Sequence, residues 1–139
     1  MYKVKHTLII VLALFVSSCG YELLQYQSNP SITIKVDVTD ASHSSIRDTL
    51  SEVAKENNLK FAYRDSFLTN GYVVYMWNKR IDMFATPVIY ESWYSISFNN
   101  SRIPWRKMSD EELLLLAKEF ETELLKIENV KLVSFEVFD

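Results

Sequence analysis

Two stretches of helical period, set among stretches that alternate, constrain this chain most. Leu113, Leu116, Ala117, Phe120, Leu124 and Ile127 recur at the spacing of one helix face, and Leu114, Leu115 and Leu125 widen the stripe. Ser109 stands in front of it as a cap, and Glu112 three residues on completes a capping box. Met108 and Leu113 are placed to staple across that cap, and Asp110, Glu111 and Glu112 suit the positive end of a helix. Ile46, Leu50, Val53 and Ala54 form a second stripe. Ser45 and Asp48 open it at capping-box spacing, and Asn57-Asn58 closes it, because asparagine tolerates the left-handed conformation.

The remaining apolar segments read as strands. Ile32 to Val38 alternates cleanly, with Ile32, Ile34, Val36 and Val38 on one face and Thr33, Lys35 and Asp37 on the other. Leu59 to Arg64 follows the first helix, which makes the first half a βαβ-like unit, and Tyr72 to Trp77 is apolar on both faces. Ile81 to Thr86 is expected as a short edge strand ended by Pro87. Val88 to Phe98 is expected as one long strand. It places Tyr90, Ser92, Tyr94, Ile96 and Phe98 on one face, and Ile89, Glu91, Trp93, Ser95 and Ser97 on the other. Val130 to Phe138 closes the chain with Val133, Phe135 and Val137 inward. Gly71 is the only glycine beyond Gly20 and is expected at a positive φ. Two amphipathic helices need one sheet face to cover. The expectation is an α+β domain over residues 32–139. Two helices pack on one face of a mostly antiparallel sheet of four to five strands, in the ferredoxin-like order β-α-β-β(-β)-α-β.

The first twenty residues follow another logic. Lys3 and Lys5 precede an uncharged apolar run, Thr7 to Val16, and the small residues Ser17 and Ser18 come before Cys19. That order is the pattern of a secretory signal peptide. The run is too short for a membrane span, which needs about 20 apolar residues. Val16-Ser17-Ser18-Cys19 resembles the lipobox of bacterial lipoprotein precursors. The resemblance covers residues 1–20 alone. It implies diacylglycerol on the Cys19 sulfur, cleavage between Ser18 and Cys19, and acylation of the new amino terminus. The family more often has Leu where Val16 stands, and Ala or Gly near Ser18. Gly20, where an Asp tends to retain enterobacterial lipoproteins in the inner membrane, leans the resemblance towards the outer membrane of a Gram-negative host. The implied organisation is a signal peptide over 1–18, a lipidated cysteine and short tether over 19–31, then the domain. Asn29-Pro30-Ser31 closes the tether as a turn signal.

Composition sets limits on the chemistry. Cys19 is the single cysteine, so a lipidated chain has no thiol for a disulfide and must rely on a core, which a 48% hydrophobic composition supplies. The full chain carries −3 and loses the positive charges of Lys3 and Lys5 on cleavage, which leaves −5. A mildly acidic chain with no basic run argues against nucleic acid and against electrostatic binding to anionic lipid headgroups. The mature chain has one histidine, His43, so a metal site of His and Cys is excluded. Asp40, His43 and Ser44 lie too close along the backbone to line up as orienter, base and nucleophile. No glycine-rich loop is there to cradle phosphate, and no cofactor is expected. Asn99-Asn100-Ser101 matches a glycosylation sequon, which carries little information in a bacterial lipoprotein.

Two functional readings remain, from different classes. Tyr75, Trp77, Trp93 and Trp105 stand out among the aromatics as a candidate binding face, and Arg102 and Arg106 flank Pro104-Trp105 as a rim. Rigid amphipathic rings are enriched at protein-binding hot spots. The plainer account is that a cysteine-free domain fills its core and rim with large rings. The first reading is thus a bilayer-anchored, non-enzymatic module that binds, assembles or inhibits an envelope protein. The second is a carboxylate-dependent glycoside hydrolase using Glu91 and Asp82, two acids near aromatic rings.

Overall fold

The computed structural model describes residues 30–139. The signal peptide, Val16, Ser17, Ser18, Cys19, Gly20 and most of the tether lie outside the described residues. The element order is β1 (Ile32–Asp37), α1 (His43–Glu56), β2 (Lys60–Asp65), β3 (Tyr72–Trp77), β4 (Ile81–Pro87), β5 (Trp93–Asn100), α2 (Asp110–Leu125) and β6 (Lys131–Val137). The fold is α+β. Its sheet has six strands rather than four to five, in the order β2-β3-β4-β5-β1-β6, and every neighbouring pair is antiparallel.

Two elements of the sheet differ from their sequence reading. The segment from Ile81 is not an edge strand. It lies between β3 and β5, with Pro87 as its last residue, where a missing N–H interrupts little of the ladder. The expected long strand from Val88 is broken at its start. Val88 to Glu91 forms a turn, with the Glu91 N–H donating to the Val88 carbonyl at 3.3 Å, and pairing resumes at Trp93. Tyr90 sits at φ 64° in that turn and is fully exposed, so it shares no face with Tyr94, Ile96 and Phe98.

β1 and β2 do not pair. Strands β5, β4 and β3 lie between them, so α1 crosses three strands in place of the compact βαβ-like unit read from sequence. α1 also starts earlier than Ser45. Ser42 is the N-cap, extended at φ −78° and ψ 120°, and its hydroxyl accepts the Ser45 N–H. Asn57 ends the helix and Asn58 takes φ 54°, as the Asn-Asn pair foretold. α2 carries the full capping box: the Ser109 hydroxyl accepts the Glu112 N–H, and the Glu112 carboxylate accepts the Ser109 N–H.

Both helices lie over one sheet face. Ile46, Leu50, Val53 and Ala54 of α1, and Leu113, Leu116, Ala117, Phe120 and Leu124 of α2, are buried there. Beneath them run two rows in register. One is Val74, Ala85, Ile96 and Ile34; the other is Met76, Met83, Phe98 and Ile32. Phe120 meets Phe98 edge-on, with ring centroids 5.7 Å apart. Leu114, Leu115 and Leu125 do not widen the buried stripe; all three are exposed, because the second helix face turns outward. In β6 a bulge opposite Lys35 and Val36 shifts the register, so that Leu132 pairs with Val36 and Phe135 with Ile34. Val133 falls in the bulge, and Val133 and Val137 are exposed; of the three residues expected inward, only Phe135 packs against the core.

Gly71 does not have a positive φ. Its missing side chain answers a close approach instead: a Cβ there would collide with the Tyr94 phenol and come within 2.9 Å of the Pro87 ring. Among the described residues no helix is long and apolar enough to cross a membrane.

Candidate functional site

The strand period of two sends alternate residues of β3 and β4 to the face that no described helix covers. Tyr75, Phe84, Ser97 and Thr33 lie along one row of that face in register, and Trp77, Asp82 and Asn99 along the next. The rings gather there. Tyr75 stacks on Trp77 with centroids 4.4 Å apart and planes 13° apart, and on Phe84 at 4.8 Å and 21°. All three are half-buried. The Tyr75 hydroxyl donates to the Asp82 carboxylate at 2.8 Å, which fixes the ring at the centre of the stack. Across from Asp82, the Asn99 side-chain nitrogen is buried with no hydrogen-bond partner among the described residues. The result is an apolar plate of three rings with a polar rim. A plate of this kind suits burial against another surface.

The structure gathers only part of the expected binding face. Tyr75 and Trp77 are together. Trp93 shares their sheet face but lies six residues up β5 from Asn99, about 20 Å away along an extended strand. Trp105 is not on the sheet at all; it stands in the loop between β5 and α2, 84% exposed. Phe84 was missed. Its signal was the alternation of Asp82, Phe84 and Thr86 on one side of a segment read as a short edge.

Asp82 and Glu91 do not form a carboxylate pair. Asp82 stands at the start of β4 and Glu91 in the turn beyond its end. The strand between Asp82 and Pro87 spans about 17 Å at the usual rise, whereas paired glycosidase carboxylates stand roughly 5–9.5 Å apart. Glu91 instead lines a cleft of about 190 Å³ with His43, Thr39 and Trp93. His43 opens α1, and its Nδ1 lies 3.2 Å from the Tyr94 hydroxyl, which accepts the Tyr72 N–H at 2.8 Å. The Ser44 hydroxyl is paired with that of Ser42, so His43 and Ser44 are engaged separately. Among the described residues no group of three His, Cys, Asp or Glu side chains is placed to hold a metal ion.

A second cavity, of about 310 Å³, lies where α1 ends against α2 and the β3–β4 turn. Arg80 and Glu112 stand at it as a bidentate pair, at 3.2 and 2.8 Å. The Arg80 hydrogen bonds, followed by the Ser109 N–H, hold the Glu112 carboxyl down at about 2. Glu112 in turn raises the Arg80 guanidinium above its ordinary value. The pair ties the β3–β4 turn to the start of α2. A second cationic contact is structural too: the Arg47 guanidinium lies 4.9 Å from the Tyr63 ring and 4.7 Å from the Tyr72 ring.

Compared with known families, the chain matches none. None of the curated proteins compared with it is similar to it.

Proposed function

We propose that this protein is a bacterial envelope lipoprotein, held to a membrane through acyl chains on Cys19, that works without catalysis by binding another envelope protein. The Tyr75–Trp77–Phe84 stack carries the binding half of this reading. Three rings aligned on the face that no described helix covers present rigid apolar area at little entropic cost. The lipobox resemblance of Val16 to Cys19 carries the address. Two or three acyl chains make anchoring stable where one is marginal, and confinement to a bilayer raises local concentration, so a modest interface suffices. In a Gram-negative host the outer membrane is the expected destination, from Gly20. The domain reads as a ferredoxin-like sandwich whose central hairpin has grown by two strands. Assembly factor and inhibitor are both compatible roles.

The test is crosslinking in the native host, with a photoreactive residue placed at Phe84 and, as control, at Leu115 on the exposed face of α2. A reproducible envelope protein captured from Phe84 and not from Leu115 is the expected result. Recovery of lipid alone from both positions overturns the binding role.

A further inference from the structure

The loop between β5 and α2 carries an unused feature. Ile103, Pro104 and Trp105 form its tip, Arg102, Arg106 and Lys107 flank them, and all six are exposed. The loop is nonetheless firmly built. The Asn100 side chain donates to the Met108 carbonyl at 2.8 Å and accepts the Met108 N–H at 2.9 Å, which clamps its base. The Ile103 carbonyl accepts the N–H groups of Arg106 and Lys107 at 3.0 and 3.1 Å, and the Ser101 hydroxyl accepts the Ile103 N–H. Arg80 braces it from outside, its Nε donating to the Arg106 carbonyl at 3.4 Å. An ordered loop thus holds a tryptophan 84% exposed to solvent.

The position of the loop says what it faces. Ser31 donates to the Phe98 carbonyl and accepts the Phe138 N–H, both at 2.9 Å, at the end of the sheet where β5 runs into this loop. The chain therefore enters the domain at the loop's own end of the sheet. From Ser31 back to Cys19 is twelve residues, about 40 Å at most when fully stretched. Val137 and Phe138, also exposed, lie at the same end.

We infer that the 101–107 loop is a second membrane contact: Trp105 and Ile103 seat at the boundary between headgroups and hydrocarbon, and Arg102, Arg106 and Lys107 meet lipid phosphates. The inference rests on the lipid-anchor reading. Tryptophan favours that boundary because its ring is apolar with one polar edge, and arginine and lysine reach outward along their stems to the headgroups. Asp110 and Glu111 follow at once in the first turn of α2, so net charge does not drive the contact; the indole does. The loop thereby sets the domain's orientation, with the Glu91–His43 end of the sheet pointing away from the bilayer.

The full chain, matured in a bacterium with Trp77→Phe and Trp93→Phe so that Trp105 is the sole tryptophan, is reconstituted into phosphatidylethanolamine–phosphatidylglycerol vesicles doped with a brominated phospholipid. Flotation reads the anchor and Trp105 fluorescence reads the loop. The expected result is flotation, a blue-shifted emission and quenching by bromine high on the acyl chain. Flotation with red, unquenched emission overturns the loop contact alone. Failure to float overturns the lipid anchor and the loop contact with it. In the otherwise native chain, a photoreactive residue at position 105 should capture phospholipid in cells; capture of protein only overturns the inference independently of the tryptophan background.

Discussion

The phenol of Tyr94 occupies the space that a side chain on Gly71 would need. Its oxygen accepts the Tyr72 N–H at 2.8 Å and lies 3.2 Å from His43 Nδ1. One hydroxyl thereby joins the β2–β3 loop, the sheet and the start of α1. Gly71→Ala should destabilise the domain by about 1–3 kcal/mol, the usual range for overpacking. Tyr94→Phe should cost about 1–3 kcal/mol by leaving the Tyr72 N–H unsatisfied. The double variant should be less destabilised than the two costs added, because removing the oxygen relieves the closest contact, although the approach to the Pro87 ring remains. Urea unfolding of the four proteins measures this. Simple additivity would refute the steric account of Gly71.

Glu112 should give the domain an acid-sensitive component. Its folded value, about 2, lies below its ordinary value of 4.5, chiefly because Arg80 donates two hydrogen bonds to it. The stability this confers is fully present above the unfolded value and is lost as pH falls from there through about 2. The stability gap between wild type and Glu112→Gln should be flat above about pH 5 and close towards pH 2. Added salt should narrow it, since the pair is half-exposed. A gap that does not change with pH would rule out the Glu112 charge as its source.

Trp77→Ala should abolish capture of the proposed partner while leaving the cooperative unfolding transition in place. Hot-spot aromatics commonly cost 2 kcal/mol or more of binding, roughly thirtyfold in affinity. Trp93→Ala, on the same face but distant from the stack, should leave capture intact. Equal losses from both would mean that the interface is not centred on Tyr75 and Phe84.

Cys19→Ala should leave an uncleaved precursor, visible as a heavier band that no longer incorporates labelled palmitate. Normal maturation of that variant would remove the lipobox assignment.

Much of this architecture was legible because single residues carry unambiguous physics. Ser109 and Glu112 announce a capping box by spacing alone, and the structure has both of its hydrogen bonds. The alternation from Ile32 to Val36 and the stripe from Ile46 to Ala54 put their apolar residues in the core as expected, although Thr33 on the other strand face is buried as well. The misses fall where local pattern is silent about pairing. Nothing in Val88 to Ser92 marks a turn, since it has no glycine, asparagine or proline, and Tyr90 takes the left-handed position that glycine or asparagine would usually fill. Ile81 to Pro87 gained its central place from strands on either side, which a proline at its end disguised. The aromatic plate was half visible: Tyr75 and Trp77 are neighbours by period, whereas Phe84 joins them only through strand pairing. For Gly71, sequence suggested backbone freedom, but the cause is a ring from 23 residues further along the chain.

The bulge in β6 has a consequence for copies of the domain that meet at high concentration. β6 and β2 are the two borders of the sheet, where unsatisfied backbone groups invite a neighbouring copy to extend the ladder. Val133 steps out of register on one border, and Lys131 and Glu136 interrupt its apolar run, while Lys60, Arg64 and Asp65 line the other. Neither border offers the flat, uncharged template from which fibrils propagate, so copies of the domain are not drawn to extend one another's sheet.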